Sequence, residues 1–227
     1  MKESEMAERK TETRELGAFT RISMRGIGKI FINQGKEQKV AIEGDEVAIN
    51  RITTNVTDGK LVIDVGRDWI EKLSAGFDFF SSHDIRFFIT VKELEELEIT
   101  GAADVEAKDI KTKDLTLKMI GATNMKVFNL NADSLETEIP GAGKIAVDGK
   151  VDDLSVTLAG AGNFSGHKLK SKTAKVTLSG VGSAQLWVTG ELDVTIAGIG
   201  TVEYYGNPLI KKSVTMLGKV TSLGDPK

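Results

Sequence analysis

"DLSVTLAGAGNFSGHKLK", residues 153–170, places a glycine turn, Gly160, Ala161 and Gly162, directly after an apolar alternation. A turn of this kind either cradles a phosphate or marks one beat of a repeat. Counting from the glycine that follows each such alternation gives Gly101, Gly121, Gly141, Gly160, Gly180, Gly198 and Gly218, at intervals of 20, 20, 19, 20, 18 and 20 residues. Unrelated elements do not keep such time, so the chain carries an internal repeat of about 20 residues.

The flanks hold register with the glycine. Four and two residues before it stand pairs such as Leu97 and Ile99, Val156 and Leu158, and Val214 and Met216, while Thr137 and Ile139 form a half-polar pair. Four and six residues after it stand pairs such as Val105 and Ala107, Met125 and Val127, and Val202 and Tyr204. Each flank is a period-2 strand with one buried face, and a short third strand passes through Ile110, Leu130, Val151 and Leu169. Strands this short bury a face only when coils stack, with like positions in ladders about 4.8 Å apart. The sequence therefore predicts an all-β, β-helix-like solenoid of roughly eight coils with glycine corners.

A dinucleotide loop is excluded by the same spacing. It needs GxGxxG between a strand and a helix, whereas Gly160 and Gly162 lead into Phe164 and Ser165 with no third glycine and no helical pattern. The glycines read as corners that adopt positive φ or let one backbone pass close to the next.

Towards the N-terminus, "RISMRGIGKIFINQG", residues 21–35, repeats the signature around Gly26, 75 residues ahead of Gly101. Between them "KVAIEG", "VAINRITTNV", "LVIDV" and "IRFFITV" read as strands of first, less regular coils. The predicted organisation is a polar tail over residues 1–18 and one solenoid domain over 19–227. Within that domain, residues 19–96 form irregular coils with an aromatic loop at 67–84, and residues 97–227 form regular ones. The opening "MKESEMAERKTETREL" lacks the apolar stretch of a signal peptide, so none is expected in this chain.

Composition narrows the function classes. Among 227 residues, 30 basic against 33 acidic side chains give a net charge of −3 and no basic block, so no nucleic-acid partner is expected. The absence of cysteine excludes disulfides, thiolate metal sites and cysteine catalysis. No apolar run reaches the roughly 18 residues of a membrane-spanning helix.

Several stretches together carry a family resemblance: "FTRISMRGIGKIFINQGKEQKVAIEGDE", "DGKLVIDV", "LEELEITGAADVEA" and the later GAG, GVG and GIG turns. From about Phe19 to Gly206 the chain resembles the bacterial domain family described as putative auto-transporter adhesin, head GIN domain. The resemblance implies a right-handed β-helix-like fold and an exported, extracytoplasmic setting at the cell envelope. It supplies no catalytic residues to carry over.

Candidate chemistry is sparse. His167 reads as a turn or surface-strand residue, and His83, beside Asp84, as part of a solvated loop, since adjacent residues rarely build a catalytic triad. Neither has the spaced partners of a zinc site, and the turns lack the GGxGxDxUx pattern of calcium-binding β-rolls. No metal or cofactor is expected. Thr157, Thr177, Thr195 and Thr215 each stand three residues before their glycine and read as an outward β-branched ladder, continued by Lys118 and Glu138 as a cross-strand pair.

One segment departs from the pattern. "RDWIEKLSAGFDFFSSHD", residues 67–84, gathers Trp69, Phe77, Phe79 and Phe80 out of 13 aromatics in the chain. Two readings stay open: a cap over a solenoid end, or a contact surface for a glycan, an envelope protein or a second subunit. Taken together, the expectation is a noncatalytic, adhesin-like binding module. A carbohydrate-active enzyme and a structural assembly subunit are the alternatives, the first requiring paired carboxylates in a groove.

Overall fold

The structure is a computed structural model that describes residues 9–66 and 85–226. Among the described residues, fourteen strands and one short helix occur in chain order. The first half comprises β1 (Lys10–Arg14), β2 (Arg21–Gln34), β3 (Lys39–Gly44), α1 (Glu46–Ile49), β4 (Thr53–Thr57), β5 (Lys60–Asp64) and β6 (Arg86–Val91). The regular part comprises β7 (Glu96–Lys108), β8 (Asp114–Ile139), β9 (Ala142–Leu158), β10 (Ala161–Leu178), β11 (Val181–Ile196), β12 (Ile199–Tyr205), β13 (Leu209–Val214) and β14 (Gly218–Ser222). They form a β-solenoid of about six turns, with parallel pairing along β2, β7, β8, β9, β10, β11, β12 and β14 and antiparallel pairing of β3 with β6 and of β4 with β5.

Ladder register follows the repeat. Gly26 pairs with Gly101, Gly101 with Gly121, and Leu158 with Leu178 and then Ile196. Inward files fill one continuous core, for example Leu97 on Leu117 and Val156 on Val176 on Val194, all essentially buried. Each fully buried Val or Leu contributes roughly 1.5–3 kcal/mol relative to exposure, so repetition of a two-sided strand pattern suffices to hold the stack. The third side is present as well. Ile110, Leu130, Val151 and Leu169 are all buried, although Leu130 and Leu169 pair with Gly149 while Val151 pairs with Ala132 and Ser171.

The corner glycines act in two ways. Gly121 has φ 135°, a region that L side chains rarely adopt. Gly160 is not in that region; a Cβ there would run into the carbonyl oxygens of Gly141 and Pro140, because coil backbones stack directly at this corner.

Four expectations change. Roughly eight coils become about six turns. Gly26 and Gly101 are direct ladder neighbours, so the chain between them does not add coils in series. Instead β5 and β6 lie together along the far edge of β2, with Ile22 opposite Leu61 and Ile30 opposite Phe87. Of "VAINRITTNV", only the later part is strand, within β4; Val47, Ala48 and Ile49 belong to α1, which Asp45 caps by accepting from the Ala48 amide at 2.8 Å. Residues read as polar tail include β1, antiparallel to β3. Its side chains are polar as befits an edge, with Lys10 on Glu46 at 2.8 Å and, just ahead of the strand, Arg9 on Glu43 at 2.9 Å. Finally, Gly218 pairs with Gly200 and Val214 with Ile196, a shift of two residues in the last coil.

One inward position breaks the apolar rule. Thr137 stands where Val156, Val176 and Val194 stand in later coils; it is 0% exposed, and its hydroxyl has no hydrogen-bond partner among the described residues. A buried hydroxyl without a partner costs about 1–3 kcal/mol. Thr137→Val is therefore expected to stabilise the fold by about 1 kcal/mol in urea unfolding; a loss of stability would mean that the hydroxyl is satisfied. Gly160→Val is expected to destabilise by about 1–3 kcal/mol through overpacking against the neighbouring backbone, and an unchanged unfolding midpoint would refute the stacked corner.

Candidate interaction surface

Alternation along each strand leaves three outward sides, and their ladders differ in chemistry. On the first face, before the glycine corner, hydroxyls and opposite charges satisfy the acids. Ser134 donates to Asp114 at 2.7 Å, Thr173 donates to Asp153, and Lys118 meets Glu138 at 3.2 Å. The hydrogen bond to Glu138 and its charge raise the Lys118 ammonium above the ordinary lysine value. The threonine ladder holds as Thr157, Thr177 and Thr195, but the last rung is Ser213 and not Thr215, a consequence of the two-residue shift in β13.

The second face, after the corner, forms a shallow groove of about 590 Å³ lined by Asp104, Asn124, Lys144, Asn163, Lys126 and Ser165 among others. Its central file carries amides and short polar groups in succession. Asn124 donates to Asp104 at 3.2 Å and Ser183 to Asn163 at 2.9 Å. Beside it runs a file of alanines, Ala102, Ala122, Ala142 and Ala161, whose short side chains keep the wall low. Phe31, stacked on Phe88 with ring centroids 5.2 Å apart, closes one end of the face.

At the far margin of this face stand Phe128, Trp187 and Tyr205. Lys108 lies over the Phe128 ring and Lys170 over the Trp187 ring, each 5.6 Å from the centroid. Phe128, Trp187 and Tyr205 each stand seven residues after their corner glycine, at 121, 180 and 198; Trp187 and Tyr205 are ladder neighbours, whereas Phe128 pairs with Lys108 in another file. The aromatic residues singled out by composition, Trp69, Phe77, Phe79 and Phe80, lie outside the described residues, as does His83.

His167 is half-buried and meets the Ser165 hydroxyl at Nδ1, 3.0 Å away. Nucleophilic catalysis needs the base to be oriented by a third group, and among the described residues no side chain hydrogen-bonds its Nε2. The contact is that of two outward neighbours on one strand. Among the described residues no cluster of three or more histidine, aspartate or glutamate side chains could hold a metal ion.

The last coil is open. β13 is exposed throughout, and Met216 and Leu217 are 60% and 75% exposed. In the inward file of Val156, Val176 and Val194, however, the final position is Lys212. An inward-pointing charge on an edge strand blocks further pairing, because another coil would bury its ammonium. Lys212→Val is expected to shift the molar mass in light scattering towards end-to-end oligomers; a mass identical to that of the parent protein would show that the lysine is not what guards this edge.

The sequence profile of the family described as putative auto-transporter adhesin, head GIN domain, matches residues 18–208. Among curated proteins none matches the chain. Several solved structures share its fold. A putative adhesin from Bacteroides fragilis is 20% identical, with a TM-score of 0.85 over 95% of this chain and 97% of that one. A putative lipid binding protein from Parabacteroides distasonis is 21% identical, with a TM-score of 0.74 over 96% and 98%. A putative adhesin from Parabacteroides merdae is 20% identical, with a TM-score of 0.67 over 96% and 97%. At these identities the likeness is one of fold. No helix among the described residues is long and apolar enough to cross a membrane.

Proposed function

We propose that this chain, which belongs to the head GIN domain family of putative auto-transporter adhesins, is a noncatalytic binding module of the bacterial cell envelope that holds an extended glycan along its second face. The observation that carries this reading is the groove with its repeating polar rungs, Asp104, Asn124, Lys144 and Asn163, in one ladder. Ladder neighbours lie about 4.8 Å apart, so the face offers polar groups at a regular spacing. A polymer of repeating units can use every rung, whereas a small substrate would use one.

The acids lining the groove, Asp104, which accepts from Asn124 at 3.2 Å, and Glu106, which meets Lys108 at 3.0 Å, support binding over hydrolysis, as do those of the first face. A glycosidase needs two carboxyl groups facing one bond, one of them kept protonated by its surroundings. Asp114 and Asp153 each accept a hydroxyl from the next coil, and Glu138 is matched by Lys118. An assembly subunit that grows end to end is disfavoured by Lys212.

The test is an array of glycans and cell-wall polymers probed with the full chain and with Asn124→Ala/Asn163→Ala. Both side chains are exposed on a stacked strand, so the variant is expected to keep the parent circular dichroism. Retention of a polymeric glycan by the parent, lost at least about tenfold in the variant, is the expected result, each lost hydrogen bond contributing roughly 0.5–1.5 kcal/mol. Silence of the parent across the array, or release of new reducing ends from a bound glycan, would overturn it.

A further inference from the structure

Within the regular coils, the third side breaks the charge rule that the other two follow. On those two, charged ladder neighbours from β7 onwards pair opposite charges or set a hydroxyl beside an acid, as Lys118 with Glu138, Lys175 with Asp193 and Ser134 with Asp114. On the third side Lys150 stands directly beside Lys170 in the parallel ladder of β9 and β10. The same file begins with Lys111, which bridges to Asn131, itself the partner of Lys150. Like charges in adjacent rungs, about 4.8 Å apart, repel and lower stability unless an anion lies between them. Lys168 and Lys172 occupy the outward positions on either side of Lys170, with Leu169 and Ser171 buried between them, and each has an acid beside it in the ladder: Asp148 opposite Lys168, and Asp152 level with Lys172 between the Ser171–Val151 and Thr173–Asp153 rungs.

The acids of this side answer the lysines only in part. Asp109 and Asp148 both accept hydrogen bonds from Asn129, at 2.7 and 2.6 Å, which fixes them at the second corner. Asp133 and Asp152 stand one outward position along the strand from Asn131 and Lys150. Lys150 and Lys170 are thus the like-charged pair of this strip, in a chain whose net charge is −3, so an anion is attracted to this pair and not to the molecule at large.

The file does not end in a charge. Lys170 pairs in the ladder with Trp187, and Trp187 with Tyr205, so the row of cations runs into two aromatic rings at the margin of the second face. Lys170 Nζ stands 5.6 Å from the Trp187 ring centroid. A half-buried indole offers an apolar plate with a polar rim, suited to the C–H face of a pyranose. Cations and plate in one row fit a ligand that carries both acid groups and sugar rings.

We propose that this edge selects acidic polysaccharides, chains of sugars bearing carboxylate or sulfate groups, with Lys150 and Lys170 meeting the anionic groups and Trp187 stacking on a sugar ring. This rests on the reading of the protein as a glycan-binding module and names the class of glycan. Nucleic acid and anionic lipid fit less well. No arginine follows Arg86 in the sequence, and Asp133 and Asp152 interrupt the positive field that dense phosphate requires.

The experiment is equilibrium binding of the full chain to polygalacturonate, chondroitin sulfate, neutral dextran, single-stranded DNA, and vesicles of phosphatidylglycerol in phosphatidylcholine, at low and physiological salt. The expected result is binding to one or both acidic polysaccharides at least about tenfold tighter than to dextran, weakening as salt rises. Lys150→Gln/Lys170→Gln should remove that preference at unchanged circular dichroism, and Trp187→Ala should weaken acidic and neutral chains alike. The proposal is overturned if dextran binds as tightly as the acidic chains, if DNA or vesicles bind as tightly as either of them, or if the double lysine variant keeps the preference. Binding to dextran alone would leave glycan binding standing and remove only the selection of acidic chains. No binding to any polysaccharide would remove both.

Discussion

The structure depends on backbone lying directly on backbone at one corner. At Gly141, Gly160, Gly180 and Gly198 a Cβ would meet a carbonyl oxygen of the coil before it, so no other residue fits without moving the stack. This exclusion fixes register more firmly than the apolar files do. A hydrophobic strand can slip by two residues and keep its face inward, whereas a slip at the corner would set a side chain against a carbonyl. Where the constraint is relaxed, register does move. Gly218 meets side-chain atoms of Ile196 and Val214 instead of a glycine carbonyl, and there the last coil is displaced by two residues.

This explains what could be read in the sequence. The corner acts on one residue at a time and recurs every coil, so its glycine intervals stand out, and with them the solenoid and its flanking strands. Less visible was the placement of the N-terminal coils. The register of β2 against β7 joins residues far apart in sequence, and nothing in "RISMRGIGKIFINQG" tells which edge β5 and β6 will take. "VAIN" misleads because an apolar run this short suits helix or strand equally, and Asp45 decides it through one capping bond.

The candidate surface was legible in a different way. The aromatic residues Phe128, Trp187 and Tyr205 share a fixed offset from the corner glycines and were available to the eye, but a search for aromatic density leads instead to residues 67–84. The lysine row could not be found by looking for a basic block. Lys111, Lys150 and Lys170 are separated by roughly one or two coil lengths, and the fold alone makes them neighbours. In a solenoid, surface chemistry is written across the sequence at the coil period, and composition along the chain conceals it.

The position of β2 also sets an order of events. From Gly101 onwards each rung of the corner ladder joins residues about 20 apart, but the rung between Gly26 and Gly101 spans 75. Closing that longer loop costs about 1.2 kcal/mol more in chain entropy than closing one coil, and a chain emerging from the ribosome makes β5 and β6 available to β2 before β7 exists. The N-terminal strands thus assemble as a separate platform, while the regular coils can zip from any neighbouring pair. With β6 already on β2, only the few residues between Val91 and Glu96 separate this platform from β7, so the seam between the two parts closes over a short loop and not over 75 residues.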